Sequence, residues 1–313
     1  MVRDTFVASI ESILKQSYSD FELIVINDGS TDRTGSLLRG ISDPRIVLVE
    51  QENQGLTRTL NNALKVIKGE YIARQDADDL SHPDRFSRQV EFLNSHPEVG
   101  LVGSVCLCMD EDGEIIGQTP PLTDIKKLKN ILMKRGNPFV HGSVMFRKMC
   151  IEKVGGYRVE MDRAEDYDLW LRISENYEIA KLKEPLYLWR WSRAGISLTK
   201  MEYLKKKAEL ARMLASERRK EGRDSLQMGL KSDFFREQMR EDLANSRQDE
   251  RKRQAFYYYR LGNAAYYGGF YHSARKNLFY SLRLNPFDPK TWVFLFASCC
   301  RGGPACPPRL IVF

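Results

Sequence analysis

The sequence lacks any long apolar run. Its longest candidate, Trp292 to Cys300, has nine residues, whereas a helix that crosses a bilayer needs about 20. The amino terminus, MVRDTFVASIE, has no uninterrupted apolar core of the kind that marks a secretory signal peptide. With neither a spanning segment nor an export signal in view, the sequence predicts a cytoplasmic protein.

Paired cysteine motifs are also missing. None of the six cysteines belongs to a C-x-x-C unit, and structural zinc sites usually contain such units. The sequence therefore predicts buried free thiols and no zinc. The cysteines are Cys106, Cys108, Cys150, Cys299, Cys300 and Cys306.

The net charge of +7 does not indicate a nucleic-acid partner, because of where it lies. Lys200 to Arg260 contains 17 Lys and Arg against 11 Asp and Glu, so +6 of the total comes from this segment. Acidic and basic residues interleave there, which is typical of a solvated helix face. Basic amphipathic helices also bind anionic lipid. A peripheral contact of residues 200–260 with the inner face of the membrane therefore stays open as an alternative.

The composition is that of a globular protein with a real core. Of its 313 residues, 42% are hydrophobic and 29% are charged, which are ordinary values for a soluble domain. The length allows one large domain, or a medium domain with an appendage.

Three carboxylates follow a predicted short strand in the stretch Glu70 to Leu80, EYIARQDADDL. Asp76, Asp78 and Asp79 would repel one another unless a positive charge lies among them. A divalent cation meets this need, because hard cations prefer carboxylate oxygens and often keep a phosphate in the same shell. An acidic turn that caps the helix after Pro83 is the alternative on local evidence.

Strands and helices alternate in the first third of the chain. The apolar run Phe21 to Ile26 predicts a buried strand, and Arg45 to Val49 predicts the next one. Helical spacing of apolar residues precedes, separates and follows these strands. This order predicts an α/β fold, with an open, mostly parallel sheet and helices on both faces. The acidic turns NDGSTD and DADD both follow strands and should therefore face one crevice at the carboxyl edge.

The middle of the chain predicts further strands around one apolar helix. Phe139 to Phe146 and Leu182 to Trp191 are expected to be extended, and AEDYDLWLRISE is expected to be helical. Glu165 and Asp166 fall in the first turn of that helix, where the helix dipole favours negative charge. Amino-terminal capping is therefore one explanation for this pair.

Strand signals end near Lys200, and the remaining chain predicts helices only. Six positions fall at the offsets of a tetratricopeptide repeat, although Ala265 replaces the usual tyrosine and only one copy is visible. We expect a tetratricopeptide-like helical hairpin, with a protein partner as one role for it. The predicted boundaries are an α/β domain at 1–199, a polar helical extension at 200–254, the hairpin at 255–300 and an irregular tail at 301–313. The six positions are Tyr258, Leu261, Gly262, Ala274, Leu278 and Pro286.

NDGSTD, DADD and AEDYDLWLR, in this order within about 170 residues, resemble the family 2 glycosyltransferases and their GT-A fold. The similarity runs from the amino terminus to about Ser197. It implies a nucleotide-diphosphate sugar as donor and Mg²⁺ or Mn²⁺ as cofactor. It also implies that Asp28, with Gly29 and Ser30 in the same motif, contacts the nucleotide. Asp76 and Asp78 would handle the ribose and the metal as the DXD motif.

The same resemblance implies that Asp166 is the catalytic base and that Arg190 lies in the donor site. Two departures from the family pattern accompany it. Family members usually open with an additional strand that forms part of the nucleotide pocket, and the sequence as given starts at the following helix. The family's histidine near the metal is replaced by Ser192, which predicts weaker metal binding unless His141 compensates.

The resulting hypothesis is an inverting glycosyltransferase that moves a sugar from a nucleotide-diphosphate donor, expected to be a UDP-sugar, to a hydroxyl acceptor in glycan, polysaccharide or glycoconjugate synthesis. The first alternative is a catalytically degenerate transferase domain that acts as a scaffold through its helical hairpin. A sugar nucleotidyltransferase is a second alternative, but the amino terminus has no glycine- and arginine-rich triphosphate loop to support it.

Overall fold

The computed structural model of the chain describes residues 2–192, 201–229 and 250–300. The chain forms two compact units. Unit 1 comprises Met1–Cys106, Leu122–Trp189 and Glu202–Asn245, and unit 2 comprises Leu107–Pro121, Arg190–Met201 and Ser246–Phe313.

Unit 1 opens with the alternation that the sequence predicts. Its elements are α1 (Val2–Leu14), β1 (Leu23–Asp28), α2 (Thr34–Arg39), β2 (Ile46–Gln51) and α3 (Leu56–Val66). β1 and β2 pair in parallel, in a register that sets Leu23 beside Ile46 and Asp28 beside Gln51. The NDGS motif therefore begins at the carboxyl edge of this pair, where parallel sheets place their ligands.

A six-stranded mixed sheet follows, in the order β3-β7-β5-β8-β4 with β6 beside β5. The predicted parallel arrangement holds for β1 and β2, while the ladders of β7 with β3 and β5, and of β4 with β8, are antiparallel. Helices and strands of residues 71–221 are β3 (Tyr71–Ala73), β4 (Leu80–Ser81), α4 (Arg85–Ser95), β5 (Val99–Met109), β6 (Ile115–Gln118), α5 (Ile125–Lys134), β7 (Met145–Arg147), α6 (Lys148–Val154), α7 (Glu165–Ser174), β8 (Glu178–Arg190) and α8 (Met201–Glu221).

The predicted strand from Phe139 to Phe146 is wrong over most of its length. The chain instead forms a 3₁₀ turn at His141–Ser143, and only Met145–Arg147 is a strand. Gly142 explains the difference, because a Cβ there would lie 1.8 Å from the Tyr187 hydroxyl oxygen. The backbone turns to pass the Tyr187 ring closely, and glycine permits this approach. Ser143 supports the turn by donating from Oγ to the Val140 carbonyl at 2.8 Å.

The core of unit 1 is built around α7. Trp170, Leu169 and Ile173 are fully buried, and Asp168 and Arg172 of the same helix are buried as an ion pair at 2.9 Å. α8 packs against it through Leu210 and Leu214. This packing holds the amino-terminal turn of α7, with Glu165 and Asp166, in a defined place.

Unit 2 contains the helical region that the sequence predicts. Its helices are α9 (Glu250–Tyr267), α10 (Tyr271–Leu284) and α11 (Pro289–Cys300). α9 and α10 form a hairpin around buried Ala265, Ala274 and Leu278. A Cβ on Gly262 would lie 2.5 Å from Leu278 Cγ, so glycine allows the two helices to approach closely.

The cysteines differ in exposure. Cys106, Cys108 and Cys150 are buried free thiols, as predicted, whereas Cys299 and Cys300 are exposed. The prediction is wrong for these two because the end of α11 turns them toward solvent. Cys306 lies outside the described residues. Within the part of the chain that the structure describes, no helix combines the length and apolar character needed to span a bilayer.

Candidate active site

Asp28 ends β1 and binds the loop that follows β2. Its Oδ1 accepts from Gln51 Nε2 at 2.7 Å and from the Gln54 backbone N–H at 2.9 Å, and its Oδ2 accepts from the Gly55 backbone N–H at 3.0 Å. Burial opposes ionisation, but these hydrogen bonds outweigh it and lower the pKa of Asp28. Asp28 is therefore a stable anion that orders residues 51–55.

Gly29 and Ser30 form the turn after Asp28. Gly29 has φ +72°, and a Cβ there would meet the Asn53 backbone nitrogen at 2.7 Å. Both the conformation and the space require glycine. The Ser30 backbone N–H donates to Asn27 Oδ1 at 3.0 Å. The turn holds its backbone near the loop that Asp28 orders.

Asp76 is held at the end of β3 by groups that the sequence did not single out. Arg74 Nη2 donates to Asp76 Oδ1 at 2.7 Å, and the Asp76 backbone N–H donates to the Tyr187 hydroxyl at 3.2 Å. From α1, Ser9 Oγ donates to the Asp76 carbonyl at 3.0 Å. The positive charge of Arg74 therefore offsets the negative charge of Asp76, one of the three neighbouring carboxylates.

Asp78 and Asp79 differ sharply in exposure. Asp78 is exposed, whereas Asp79 is 1% exposed. The Asp79 carbonyl accepts from Gln75 Nε2 at 2.9 Å, so Gln75 helps to hold the main chain of the DADD motif in place. Asp78 thus presents its side chain outward, where a ligand can reach it.

His141 lies in the same part of unit 1. Its Nε2 is 3.1 Å from the Tyr157 hydroxyl. Burial, followed by the positive charge of Arg74, lowers the pKa of His141 to about 3. A neutral imidazole is the form that can ligate a metal, although the charge of Arg74 works against a cation at this nitrogen.

Asp166 occupies the first turn of α7. Its Oδ2 accepts from Asn137 Nδ2 at 2.7 Å and its Oδ1 from the Tyr167 backbone N–H at 2.6 Å. Burial, then the charge of Glu165, then that of Asp76, raise the pKa of Asp166 to about 7. The helix begins after Ala164 without a side-chain cap. Asp166 is therefore a carboxyl group poised for proton exchange near neutral pH, and it does not occupy the N-cap position.

Glu165 is 5% exposed, and its Oε2 is buried without a hydrogen-bond partner. Burial is the main cause that raises the pKa of Glu165, and Asp162 adds to it. Arg163, two residues before Glu165, has φ +74°, a left-handed conformation that non-glycine residues rarely adopt. A strained backbone and a buried carboxylate oxygen without a partner, both close to Asp166 in sequence, are typical of functional sites.

The structure brings several of these groups into one electrostatic cluster. Asp76 raises the pKa of Asp166 and Arg74 lowers that of His141, as further contributions after burial. The cluster therefore joins the DADD and AED motifs, which are 90 residues apart in sequence. Sequence reasoning missed Arg74, Asn137, Tyr157 and Tyr187. Only Arg74 had a signal, namely its position at the end of a predicted strand two residues before Asp76.

Arg190 belongs to unit 2. Its Nη1 donates to the Asp110 and Glu111 carbonyls, each at 3.1 Å. Ser192 Oγ donates to Glu111 Oε1 at 3.0 Å. Both side chains thus bind the turn between β5 and β6, and the donor-site role of Arg190 stays a prediction.

The metal prediction can be compared with the oxygen ligands present. Across residues 2–192, 201–229 and 250–300, no three His, Cys, Asp or Glu side chains converge in a way that could hold a metal ion. Mg²⁺ often takes only one or two carboxylates and completes its shell with substrate phosphates and water. Exposed Asp78 and the second oxygen of Asp76 fit that kind of site, and they do not fit an all-protein cage.

Comparison with known proteins decides the family. The profile described as "Glycosyl transferase family 2" matches residues 3–155. EpsE of Bacillus subtilis (strain 168), which bears the name of a glycosyltransferase, is 40% identical over 190 residues that cover 58% of this chain and 67% of EpsE. The amylovoran biosynthesis glycosyltransferase AmsE of Erwinia amylovora is 31% identical, covering 65% of this chain and 77% of AmsE. The chain belongs to glycosyl transferase family 2.

Solved structures agree with this membership at the level of the fold. The mannosyltransferase PcManGT of Pyrobaculum calidifontis, in complex with GDP-Man and Mn²⁺, has a TM-score of 0.53 at 18% identity, covering 95% of this chain and 83% of that one. TarS 1-349 of S. aureus, in complex with UDP-GlcNAc, has a TM-score of 0.52 at 13% identity, covering 96% and 85%. The predicted GT-A fold of this family 2 glycosyltransferase is therefore confirmed.

Proposed function

We propose that this glycosyltransferase moves a sugar from a nucleotide-diphosphate donor, with a UDP-sugar as the first candidate, to a hydroxyl group of a polysaccharide or glycoconjugate, with inversion at the anomeric carbon. The observation that carries the proposal is that the charge of Asp76, in the DADD motif, contributes to the raised pKa of Asp166. Sugar transfer needs a proton acceptor for the attacking hydroxyl and a stabilised diphosphate leaving group. The cluster has candidate groups for both tasks.

The names of similar proteins support the acceptor class. AmsE is named for amylovoran biosynthesis, and WbnJ of Escherichia coli, 38% identical over 53% of this chain and 65% of WbnJ, is named for O-antigen biosynthesis. Both names are those of biosynthetic glycosyltransferases. We extend this acceptor class to the present protein and place its reaction on the cytoplasmic side, where nucleotide sugars are available.

Asp166 is proposed as the general base. Its raised pKa places proton acceptance near neutral pH, which is where a general base is most effective. The hydrogen bond from Asn137 orients one carboxylate oxygen, and the backbone N–H of Tyr167 orients the other. A base held from two sides can take the acceptor's proton as the hydroxyl attacks the face of the anomeric carbon opposite the leaving diphosphate.

Asp78 and Asp76 are proposed to hold Mg²⁺ or Mn²⁺ together with the donor. When bound, the cation would supply Lewis-acid stabilisation of the diphosphate. The Arg74–Asp76 pair, at 2.7 Å, keeps the Asp76 carboxylate oriented and partly neutralised. Asp28, Gly29 and Ser30 are proposed to bind the nucleotide through the turn and loop that Asp28 orders, and Arg190 is proposed as a further donor contact.

The domain boundaries are proposed as the sequence places them. The transferase domain would extend over 1–199 and be followed by the helical regions 200–254 and 255–300 and by the tail 301–313. The hairpin of α9 and α10 is proposed as a candidate surface for a protein partner.

The test is a screen of UDP-, GDP- and dTDP-sugars for nucleotide release, with and without Mn²⁺ and with EDTA as the metal-free arm. We expect release from one donor, abolished by EDTA and strongly reduced in Asp166→Asn. GDP-mannose belongs in the screen because PcManGT binds it. A chain that binds a donor but never turns it over, with or without polysaccharide acceptors, would support the scaffold alternative and contradict this proposal.

A further inference from the structure

Unit 2 exposes large apolar side chains on one face of α11 and on the loop before it. Phe287 is 91% exposed, Phe296 73%, Trp292 54% and Val293 51%. We call these four residues the α11 face. Single exposed apolar residues are ordinary, but a contiguous group marks a surface that binds something.

The helix has two clearly different sides. Trp292, Val293 and Phe296 follow the i, i+1, i+4 spacing that puts side chains on one side of a helix. Thr291 and Ser298 are fully buried on the other side, where Phe294 packs edge-on against Tyr259 and Tyr266. α11 is therefore anchored by its inner side, while its outer apolar side stays exposed among the residues of unit 2 that the structure describes.

The Trp292 ring can enter an apolar environment without losing a hydrogen bond. Its only polar atom, Nε1, donates to the Pro286 carbonyl at 2.8 Å. Burying the ring in an apolar phase would therefore not break a hydrogen bond to water at this N–H, which removes the cost of burying a polar group without a partner.

The sequence from α9 to α11 is mostly basic. From Phe256 to Cys300 the sequence contains five Lys and Arg and a single acid, Asp288. Asp288 is engaged in capping α11, because its Oδ2 accepts from the Thr291 backbone N–H at 3.1 Å and from the Thr291 hydroxyl. Lys276, Arg283 and Lys290 are exposed. The segment that carries the α11 face, residues 256–300, therefore has a net charge of +4.

We propose that the α11 face docks onto an anionic lipid surface. Aromatic and aliphatic side chains beside Lys and Arg are the composition that binds the headgroup boundary of such membranes. Each cation near an anionic surface adds to the attraction. A second copy of this chain fits less well, because a symmetric contact would bring the cations of the two copies together. The proposal does not depend on the transferase reaction.

This assignment differs from a contact through residues 200–260. In α8, Lys207 donates to the Glu160 carbonyl, and Arg218 pairs with Glu175 and Asp224. These two cations are nearly buried and serve the interior of unit 1. Within the described part of that segment, the basic residues are not accompanied by an aromatic surface like the α11 face.

The test is co-sedimentation of the full chain with vesicles of equal parts phosphatidylglycerol and phosphatidylcholine, and with vesicles of phosphatidylcholine alone. We expect binding to the anionic vesicles that weakens as salt is added. The double variant Trp292→Ser/Phe296→Ser should lower the partition coefficient by about tenfold or more, since it removes two large apolar groups from the contact. Val66→Ser/Met149→Ser, which changes exposed apolar residues of unit 1, should bind like the unchanged chain.

Two double variants that reverse the charge of lysines complete the experiment. Lys276→Glu/Lys290→Glu should also weaken binding by about tenfold or more. Lys126→Glu/Lys134→Glu makes the same charge change in α5, on the wall of a 420 Å³ cavity in unit 1, and should have a much smaller effect. Because all eight side chains are at the surface, the thermal unfolding temperature of each variant should match that of the unchanged chain.

Two results would overturn the proposal. The first is anionic-vesicle binding that Trp292→Ser/Phe296→Ser leaves unchanged. The second is the absence of vesicle binding together with a dimer in sedimentation equilibrium that this double variant converts to monomers, because the α11 face would then bind a second copy.

Discussion

Two aspartates in unit 1 show opposite uses of the same side chain. Asp28, at the carboxyl edge of β1, accepts hydrogen bonds from one side-chain amide and two backbone N–H groups, and its pKa is lowered. Asp166, at the start of α7, is buried beside Glu165, and its pKa is raised to about 7. The region of Asp28 is built to keep a charge, and the region of Asp166 is built to exchange a proton. Deep burial and a neighbouring carboxylate decide the behaviour of Asp166, whereas hydrogen bonds outweigh a smaller burial effect at Asp28.

The largest expected effect is on kcat, when Asp166 loses its ability to exchange a proton. Asp166→Asn keeps the size of the side chain and can still accept from Asn137 or Tyr167, but it cannot take a proton from the acceptor. General-base catalysis contributes typically 10²–10⁴-fold, so kcat with the cognate donor and acceptor should fall by about that factor. Steady-state kinetics and donor titration measure the two properties separately, and donor affinity should remain.

Glu165→Gln is the matched control, because it neutralises the neighbouring carboxylate in the same turn. It should retain more activity than Asp166→Asn. If Asp166→Asn turns over at nearly the unchanged rate, Asp166 is not the base. If activity and thermal stability fall together in Asp166→Asn, its role is structural.

The next effect concerns the metal. Asp78→Asn replaces an exposed anionic oxygen ligand with a neutral one, so Mn²⁺-dependent UDP binding should weaken by about 10- to 100-fold. Calorimetric titration of Mn²⁺ in the presence of UDP measures this change. Asp112→Asn, an exposed aspartate in the turn between β5 and β6, is the control and should bind normally. Equal metal affinity in Asp78→Asn and the unchanged chain would remove Asp78 from the metal site.

The pH dependence of the rate sharpens the comparison further. A base must be deprotonated to act, so kcat should rise about tenfold per pH unit below the pKa of Asp166 and level off above about pH 7. Glu165→Gln removes a negative neighbour that raises this pKa, so its profile should shift toward lower pH. A kcat that is flat between pH 5 and pH 8, with chemistry shown to be rate-limiting, would contradict a base of raised pKa.

The smallest expected effect is on the free energy of unfolding, which Asp28→Asn and Asp166→Asn should change in opposite directions at pH 8. The lowered pKa of Asp28 means that its contribution to stability is present above its ordinary pKa and is lost as pH falls. Asp28→Asn should therefore destabilise the protein at pH 8, by about 1 kcal/mol. For Asp166 the pKa is raised, so its stabilising contribution exists below pH 3.8 and is lost as pH rises through about 7.

Asp166→Asn should accordingly stabilise the protein at pH 8, by about 1 kcal/mol or more. Thermal unfolding of both variants at pH 8 and pH 5 checks the two signs, and the Asp166→Asn gain should shrink at pH 5. A loss of stability in both variants at pH 8 would mean that the two regions do not differ as described.

Local chemistry determined much of this protein. The apolar run before Asp28, the helical spacing on both sides of it and the aspartates after Ala73 predict elements and motifs that the structure contains, because strand burial and turn formation depend on neighbouring residues. The family resemblance also rests on these short segments. The prediction failed at Phe139 to Phe146, where the apolar pattern indicates a strand but the chain forms a turn in which Gly142 lies too close to Tyr187 for any Cβ.

The tertiary structure alone decided how the motifs act. The sequence places Asp76 and Asp166 far apart, and their electrostatic coupling arises only when β3 and the start of α7 meet in unit 1. The support from Arg74, Tyr187 and Asn137, and the opposite pKa shifts of Asp28 and Asp166, depend on which donors folding brings to each carboxylate. Burial and hydrogen bonding at long sequence separation set these properties, and a pattern of neighbouring residues cannot encode them.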